Sequence, residues 1–345
     1  MLPRAATTLA EHLRAAGWTT SAVVSHSFCG SDWGFAQGFD SFDESNVLGH
    51  LGVSSPGVTE GGLRFLDEHK HERFFLWLHY FDPHYVYKLH PGHDPDPGSD
   101  YDGRVVDGMY ISALEALTGT LTPDDRAQLA RLYDSEIAFT DAQIGRVLDR
   151  LEALGLADDT VVVFVADHGE AFDEHGLIGH ASTLYQELVH VPFLVRCPRW
   201  APGEVSTPVS SVDLFPTILS CLDLPGPGGL VGRSLAPDAP AATEPRLLFS
   251  QTSRGGRQVA VRSGDHKLIA RLARGRAPRL ELYDLSADPH EAHDLAPQGG
   301  PILEQLSREL LSWEEATREG AMAPETIDVD AWLQENLEAL GYTED

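Results

Sequence analysis

Along the first 200 residues the apolar positions alternate between helical and strand-like spacing. Ala6, Leu9, Ala10, Leu13 and Ala16 recur at helical intervals and Gly17 stands where a C-terminal cap belongs, so residues 5–16 are predicted as a helix. A short strand is predicted at 21–25. From 28 to 46 glycine, aspartate, serine and aromatic residues replace any period, the texture of a loop at the mouth of a site. Residues 73–81, RFFLWLHYF, form an apolar run that Asp82-Pro83 ends as a buried strand should end. Prolines, glycines and acids without periodicity make 87–107 a long loop. Thr122-Pro123-Asp124 opens a helix whose Leu129, Leu132, Ile144, Leu148, Leu151 and Leu154 keep helical spacing as far as Gly155. Residues 160–166, TVVVFVA, are continuously apolar and β-branched, which predicts a parallel strand covered on both faces, and 191–196 predicts another. The alternation of helix and buried strand implies an α/β class with a doubly wound, mostly parallel sheet.

Beyond Gly232 the texture changes. Residues 237–245 read as a linker, and LLFSQ, RQVAVRS, HKLIARL and LELYDL predict a smaller C-terminal antiparallel sheet with a helix at 301–319 packed against it. From Ile327 the residues Trp332, Leu333, Leu337 and Leu340 return to helical spacing. The expected organisation is an α/β core over 1–236, the small sheet and helix over 246–320, and a helical tail over 321–345.

Charge narrows the partners. Lys and Arg number 25 against 53 Asp and Glu, a formal charge of −28 over 345 residues, which argues against nucleic acid or an anionic membrane surface. No apolar run approaches the ~20 residues of a membrane span, and residues 1–14 lack the apolar core and cleavage pattern of an export signal. Neither compartment nor oligomeric state is set by the sequence. Cys29, Cys197 and Cys221 are odd in number and show no CxxC spacing, so three buried free thiols are expected.

The chemistry concentrates in 161–187, VVVFVADHGEAFDEHGLIGHASTLYQE. A strand runs into Asp167-His168-Gly169-Glu170, so a carboxylate and an imidazole emerge together at the strand's C-terminal end, where open α/β sheets hold ligands. Both are competent metal ligands, and the glycine permits a sharp turn. Asp173 and His175 are expected to brace the following loop. The order Asp167-His168-Gly169-Glu170, Gly179-His180, Tyr185-Gln186-Glu187 and Val191-Pro192-Phe193 resembles the sulfatase family of the alkaline phosphatase superfamily. FLWLHYFDPHYVY, SSVDLFPTIL, LELYDLSADPHEAHDLA and the terminal LEALGY extend the resemblance over nearly the whole chain.

The resemblance implies an alkaline phosphatase-like fold and a metal-dependent sulfuric ester hydrolase acting on a small-molecule or glycan sulfate ester. It makes Asp167 and His168 ligands of a divalent cation, Ca2+ first, with Mn2+, Mg2+ or Zn2+ left open by the imidazole. His180 matches a residue that contacts the sulfate and assists the leaving group. His84, in Asp82-Pro83-His84, matches a histidine near the ester oxygen and suits general acid work. Where many members carry Gly-Lys-Trp-His, this chain reads Ser25-His26-Ser27-Phe28, which leaves His26 as a substitute contact.

One family feature is missing from the sequence. Members carry a nucleophile in a Cys-x-Pro-x-Arg or Ser-x-Pro-x-Arg motif, preceded by a strand with paired acids, whereas none of the three cysteines here has a proline two residues on, and Ser54 and Ser206 lack the arginine. The opening MLPRAATTLAEHLRAAGW resembles the family's sequence just after the nucleophile helix. The expectation is therefore an N-terminally truncated member, impaired or inactive as it stands, with no nucleophile of its own. Two rivals stay in view: a phosphodiesterase, phosphonate hydrolase or phosphoethanolamine transferase of the same superfamily, and a non-catalytic binding protein that keeps the shell.

Overall fold

The computed structural model describes residues 1–50, 52–239, 246–273 and 275–320. The expected tail helix, and most of the expected linker, lie outside the described residues. Two compact units emerge, Met1–Asp158 and Asp159–Ala321, so the 1–236 grouping expected from sequence spans the first unit and the opening part of the second.

The first unit is built on three parallel strands, β1 (Thr19–Val23), β2 (Ser41–Asp43) and β3 (Phe74–Leu78), in the order β2-β1-β3. Helix α1 (Leu9–Ala15) starts later than the apolar period suggests because Thr8 caps it. The Thr8 hydroxyl accepts from Glu11 N–H at 3.0 Å, and the Glu11 carboxylate accepts from Thr8 N–H at 2.9 Å. Strand β2 lies in the stretch that reads as loop in the sequence, and helix α2 (Ser55–His69) in one for which the sequence predicts no element. In α2 a Cβ on Gly61 would stand 3.0 Å from Val23 of β1, and one on Gly62 would stand 2.9 Å from Leu78 of β3. The paired glycines that weaken the helix in isolation are what let it lie against the sheet. After the short α3 (Ile111–Glu115), α4 runs Pro123–Ala153, as its long apolar period predicts. Thr122 and Asp125 form its capping box, and Asp125 also accepts from the Tyr101 hydroxyl at 2.6 Å and Arg104 at 2.7 Å. These donors hold the Asp125 carboxyl far below the usual carboxylate range. Leu13, Ala22, Val58, Leu66, Leu129 and Leu132 are buried at the centre of this unit.

The second unit opens with β4 (Val162–Val165), which pairs with β7 (Phe193–Arg196). This corrects the expectation of buried parallel strands at 160–166 and 191–196. The two run antiparallel, and Phe164, Val165 and Leu194 are exposed at 41%, 38% and 59%. An apolar run reports that a strand favours cover, not the direction of its partner. Between them lie the ribbon β5 (Ala171–Phe172) and β6 (Ile178–Gly179) and the short helix α5 (Gln186–Val189). A second correction concerns the thiols: Cys197, just past β7, is disulfide-bonded to Cys221 at the end of α6 (Leu214–Cys221), with Cα atoms 6.0 Å apart. Spacing alone could not reveal a bridge that depends on two distant elements meeting.

The four predicted C-terminal strands are β8 (Leu247–Thr252), β9 (Gln258–Ser263), β10 (His266–Arg271) and β11 (Arg279–Asp284), antiparallel in the order β11-β10-β9-β8. Alternate residues serve two faces. Val259, Val261, Leu268 and Leu282 pack with Leu306 and Leu310 of α7 (Pro301–Glu319), where Phe249 and Trp313 also stack at 4.7 Å. Ala260, Ile269 and Tyr283 pack instead against Leu184 and Tyr185. The sheet thereby supports the loop that follows the Asp167-His168 turn.

Candidate functional site

Asp167 and His168 follow β4 after the single residue Ala166. The turn is held by the Gly169 N–H, which donates to Leu188 O at 2.8 Å. A Cβ on Gly169 would lie 2.0 Å from the Glu187 carbonyl oxygen, so only glycine allows the two backbones this approach. His168 Nδ1 lies 2.8 Å from Gly169 O. A carbonyl can only accept, so Nδ1 carries the proton and Nε2 carries the lone pair. Nε2 lies 3.8 Å from Asp167 Oδ2, and the Asp167 side chain is 82% exposed. An oriented imidazole lone pair beside an accessible carboxylate fits two ligands of one hard or borderline cation. Among the described residues, no group of three or more His, Cys, Asp or Glu side chains is placed to hold an ion.

His180 joins this pair. Its ring stacks on that of His168 with centroids 4.1 Å apart and planes at 23°. Its Nδ1 is 3.1 and 3.2 Å from the two oxygens of Glu170, and both side chains are nearly inaccessible. Glu170 thus fixes the ring and places the proton on Nδ1. Glu170 belongs to the Asp167-His168-Gly169-Glu170 motif, and only the geometry shows its contact with His180.

Behind the turn lies a buried polar brace. His175 Nδ1 is 2.8 Å from Glu187 and its Nε2 is 3.1 Å from Glu291 O, while its ring stacks on Tyr185 at 3.7 Å. Burial opposes protonation of His175, but Glu187 and the Glu291 carbonyl outweigh it and hold the imidazole above its ordinary value. The Tyr185 hydroxyl donates to Glu281 at 2.6 Å. Glu291 accepts from Gln186 N–H at 2.6 Å and pairs with buried Lys267 at 2.8 Å. Burial lowers Lys267 despite that pairing. Asp173, buried and at φ 79°, turns the loop.

His26 and His84 meet in the first unit. Both stack on Phe81, at 4.4 Å and 26° for His26 and 4.4 Å and 23° for His84, and their centroids are 6.3 Å apart. His26 Nδ1 accepts from Phe28 N–H at 3.3 Å, which puts its proton on Nε2. His84 Nδ1 lies 2.9 Å from Tyr85 O. A third imidazole, His50, lies 5.0 Å from His84 and reaches the same carbonyl at 3.1 Å. No sequence signal marked it, because it sits in an irregular stretch with no motif around it.

The Sulfatase family model matches residues 2–224, well over half of the chain. Bovine (Bos taurus) arylsulfatase K is 30% identical over 216 residues, 59% of this chain and 40% of the relative. The uncharacterized sulfatase YidJ of Escherichia coli (strain K12) is 32% identical over 197 residues, 54% of this chain and 37% of the relative. The aligned stretch is thus about two fifths of the length of these curated relatives. Among solved structures, a protein in complex with its substrate D-glucosamine-2-N,6-O-disulfate superposes with a TM-score of 0.71 at 19% identity, covering 92% of this chain and 83% of that one. Phosphonate monoester hydrolase from Silicibacter pomeroyi gives 0.70 at 18% identity, covering 93% and 81%. The fold is shared by both, and the family match over 2–224 shows that this chain belongs to the sulfatase family of hydrolases.

Proposed function

We propose that this chain serves metal-assisted hydrolysis of a sulfate ester, on a small molecule or a glycan, with Asp167 and His168 as cation ligands. The observation that carries the reading is the turn itself: an accessible carboxylate 3.8 Å from an imidazole nitrogen whose tautomer is fixed by Gly169 O, with His180 stacked alongside. A bound divalent cation, Ca2+ before Mn2+, Mg2+ or Zn2+, would supply Lewis-acid stabilisation of the sulfuryl oxygens. His180, oriented by Glu170, would contact the sulfate and, once doubly protonated, would give its Nε2 proton to the leaving oxygen. For His84 and His26, which stack on Phe81 in the first unit, an ester contact is implied by the family resemblance alone. The name of the bovine relative and the disulfated sugar held by one structural neighbour support a sulfate ester as substrate class.

The proposal includes low turnover by this chain as it stands, because its sequence carries no Cys-x-Pro-x-Arg or Ser-x-Pro-x-Arg nucleophile and its turn offers two ligands. A phosphonate or phosphate ester is the second reading, favoured by the fold shared with phosphonate monoester hydrolases. The purified chain is assayed with 4-methylumbelliferyl sulfate and the corresponding phenylphosphonate, in Ca2+ and in Mn2+, together with competitive binding of both esters. Near-background turnover, with the sulfate ester bound more tightly and Asp167→Asn weakening that binding, supports the proposal. Robust sulfate turnover overturns the impairment, and preferential phosphonate binding overturns the substrate assignment.

A further inference from the structure

The chain carries a formal charge of −28, yet residues 254–279 hold seven arginines and Lys267 against Asp265 as their only acid. Strand register in the second unit gathers part of this positive charge into one row. Thr252 pairs with Gln258, Gln258 with Arg271, and Arg271 with Arg279, so a single line crosses β8, β9, β10 and β11. Side chains alternate along a strand, so Arg271 shares the face of Ile269, and Arg279 that of Glu281 and Tyr283. This is the face that packs against Leu184 and Tyr185.

The Thr252 end of the row holds the loop that follows His180. The Thr252 hydroxyl donates to Ala181 O, and Gln258 Nε2 donates to Ser182 O at 2.6 Å. Neighbouring strands lie about 4.8 Å apart, which puts Arg271 about 10 Å and Arg279 about 15 Å along the row from Thr252. From this alignment we infer that Arg271 and Arg279 form a subsite for a second anionic group, a sulfate or carboxylate, of an acidic glycan whose sulfate ester lies at the Asp167, His168 and His180 turn. The inference rests on the reading of the protein as a sulfate-ester hydrolase, and within that reading it selects a polyanionic oligosaccharide over a small monosulfated molecule.

Like charges directly opposite on a sheet destabilise one another, and the fold gives these two guanidinium groups one carboxylate to share. Glu281 Oε1 lies 3.6 Å from Arg271 Nε and 3.5 Å from Arg279 Nη2, distances of ion pairing rather than of good hydrogen bonds. Its Oε2 accepts from the Tyr185 hydroxyl at 2.6 Å and the Tyr283 hydroxyl at 3.2 Å. Arg271 Nε, a buried donor, has no hydrogen-bond acceptor among the described residues. One carboxylate between two cations leaves a positive excess, and it is accessible, because the Arg271 and Arg279 side chains are 41% and 75% exposed. Arg276, in the hairpin between β10 and β11, is exposed as well. Guanidinium keeps its charge at any working pH and presents paired donors that match the oxygens of a sulfate or carboxylate. On a protein with so much negative charge, a local positive surface is what lets a polyanion approach.

The test is calorimetric binding of a heparin hexasaccharide to the full chain at low and at physiological salt. Wild type is compared with the double variant Arg271→Gln/Arg279→Gln, with Arg279→Gln and Arg279→Lys, and with the control Arg318→Gln, an exposed arginine on α7 across the sheet. The double variant should bind the hexasaccharide about tenfold more weakly, as for loss of charge-assisted bonds, and should lose less affinity as salt rises. Arg318→Gln should bind as wild type does. Arg279→Gln, at a position too exposed to disturb the core, should show part of the loss, and Arg279→Lys should recover part of it. 4-Methylumbelliferyl sulfate, with one anionic group, should bind wild type and the double variant alike. The inference is overturned if the double variant binds the hexasaccharide like Arg318→Gln, if it loses 4-methylumbelliferyl sulfate to the same degree, or if a single-stranded oligonucleotide of equal charge binds wild type as tightly. The hydrolase reading fails by a different result, 4-methylumbelliferyl sulfate binding that Asp167→Asn leaves unchanged.

Discussion

Replacing Gly169 by alanine addresses the link between backbone packing and the proposed cation site. The new Cβ would meet Glu187 O at 2.0 Å, Glu187 C at 3.0 Å and Leu188 Cα at 3.3 Å, all of them backbone atoms that no rotamer change can move. Ordinary carbon contacts begin near 3.5 Å, so the two segments must part by roughly 1 Å or more. That separation removes the 2.8 Å hydrogen bond from Gly169 N–H to Leu188 O. Overpacking and a lost buried backbone bond together cost about 3 kcal/mol, which lowers Tm by roughly 6–12 °C for a unit of this size. Displacement of the turn also carries Asp167 and His168 with it, and metal donors tolerate only a few tenths of an ångström. Calorimetric melting with and without Ca2+ is the assay: the variant should melt lower and lose most of any Ca2+-induced rise in Tm. A melting point within 1 °C of wild type and an unchanged response to Ca2+ would refute the packing argument.

Three further perturbations probe the framework. His175→Gln should remove stability that is complete below the unfolded value of 6.5 and is lost as pH rises through the raised folded value; the Tm gap to wild type should therefore be widest in mild acid and narrow above neutrality, and a gap constant across pH 5–9 contradicts the ion-pair account. Asp125→Asn should lower Tm at pH 7 and converge on wild type as pH falls below the unfolded value of 3.8, because the native carboxyl is held low by Tyr101 first and Arg104 next; an undiminished gap at pH 2.5 argues against it. Reduction of Cys197–Cys221, or the double serine variant, should cost about 3 kcal/mol from opening a loop of this length, given a sequence separation of 24, and denaturant midpoints unaffected by reductant would count against the bridge.

Where the fold was legible, periodicity was unambiguous. The C-terminal sheet with α7 buries the face its apolar positions mark, whereas α4 has the extent its period predicts but buries only Leu129, Leu132 and Leu151 of the positions named and leaves Leu148 exposed. Helix α2 was not legible. Its glycines and serines look like loop residues, and they are helical only because Val23 and Leu78 require a surface without Cβ atoms. The direction of β4 and β7 was also hidden, since pairing sense depends on which strand arrives alongside. At the candidate site, Asp167, His168 and His180 are singled out by the family resemblance, and the structure brings their side chains near one another. The contact of Glu170 with His180 becomes visible only in the geometry.

The central claim is that the Asp167-His168 turn receives a divalent cation, and Mn2+ titration followed by histidine side-chain NMR tests it most directly. Paramagnetic broadening reports weak as well as tight binding at identified rings. Broadening should reach His168 first and His180 next, be reversed by excess Ca2+, and vanish for His168 in Asp167→Asn while exposed His71 is unaffected by that substitution. Equal broadening of His71 and His168, unchanged by Asp167→Asn, would contradict the account.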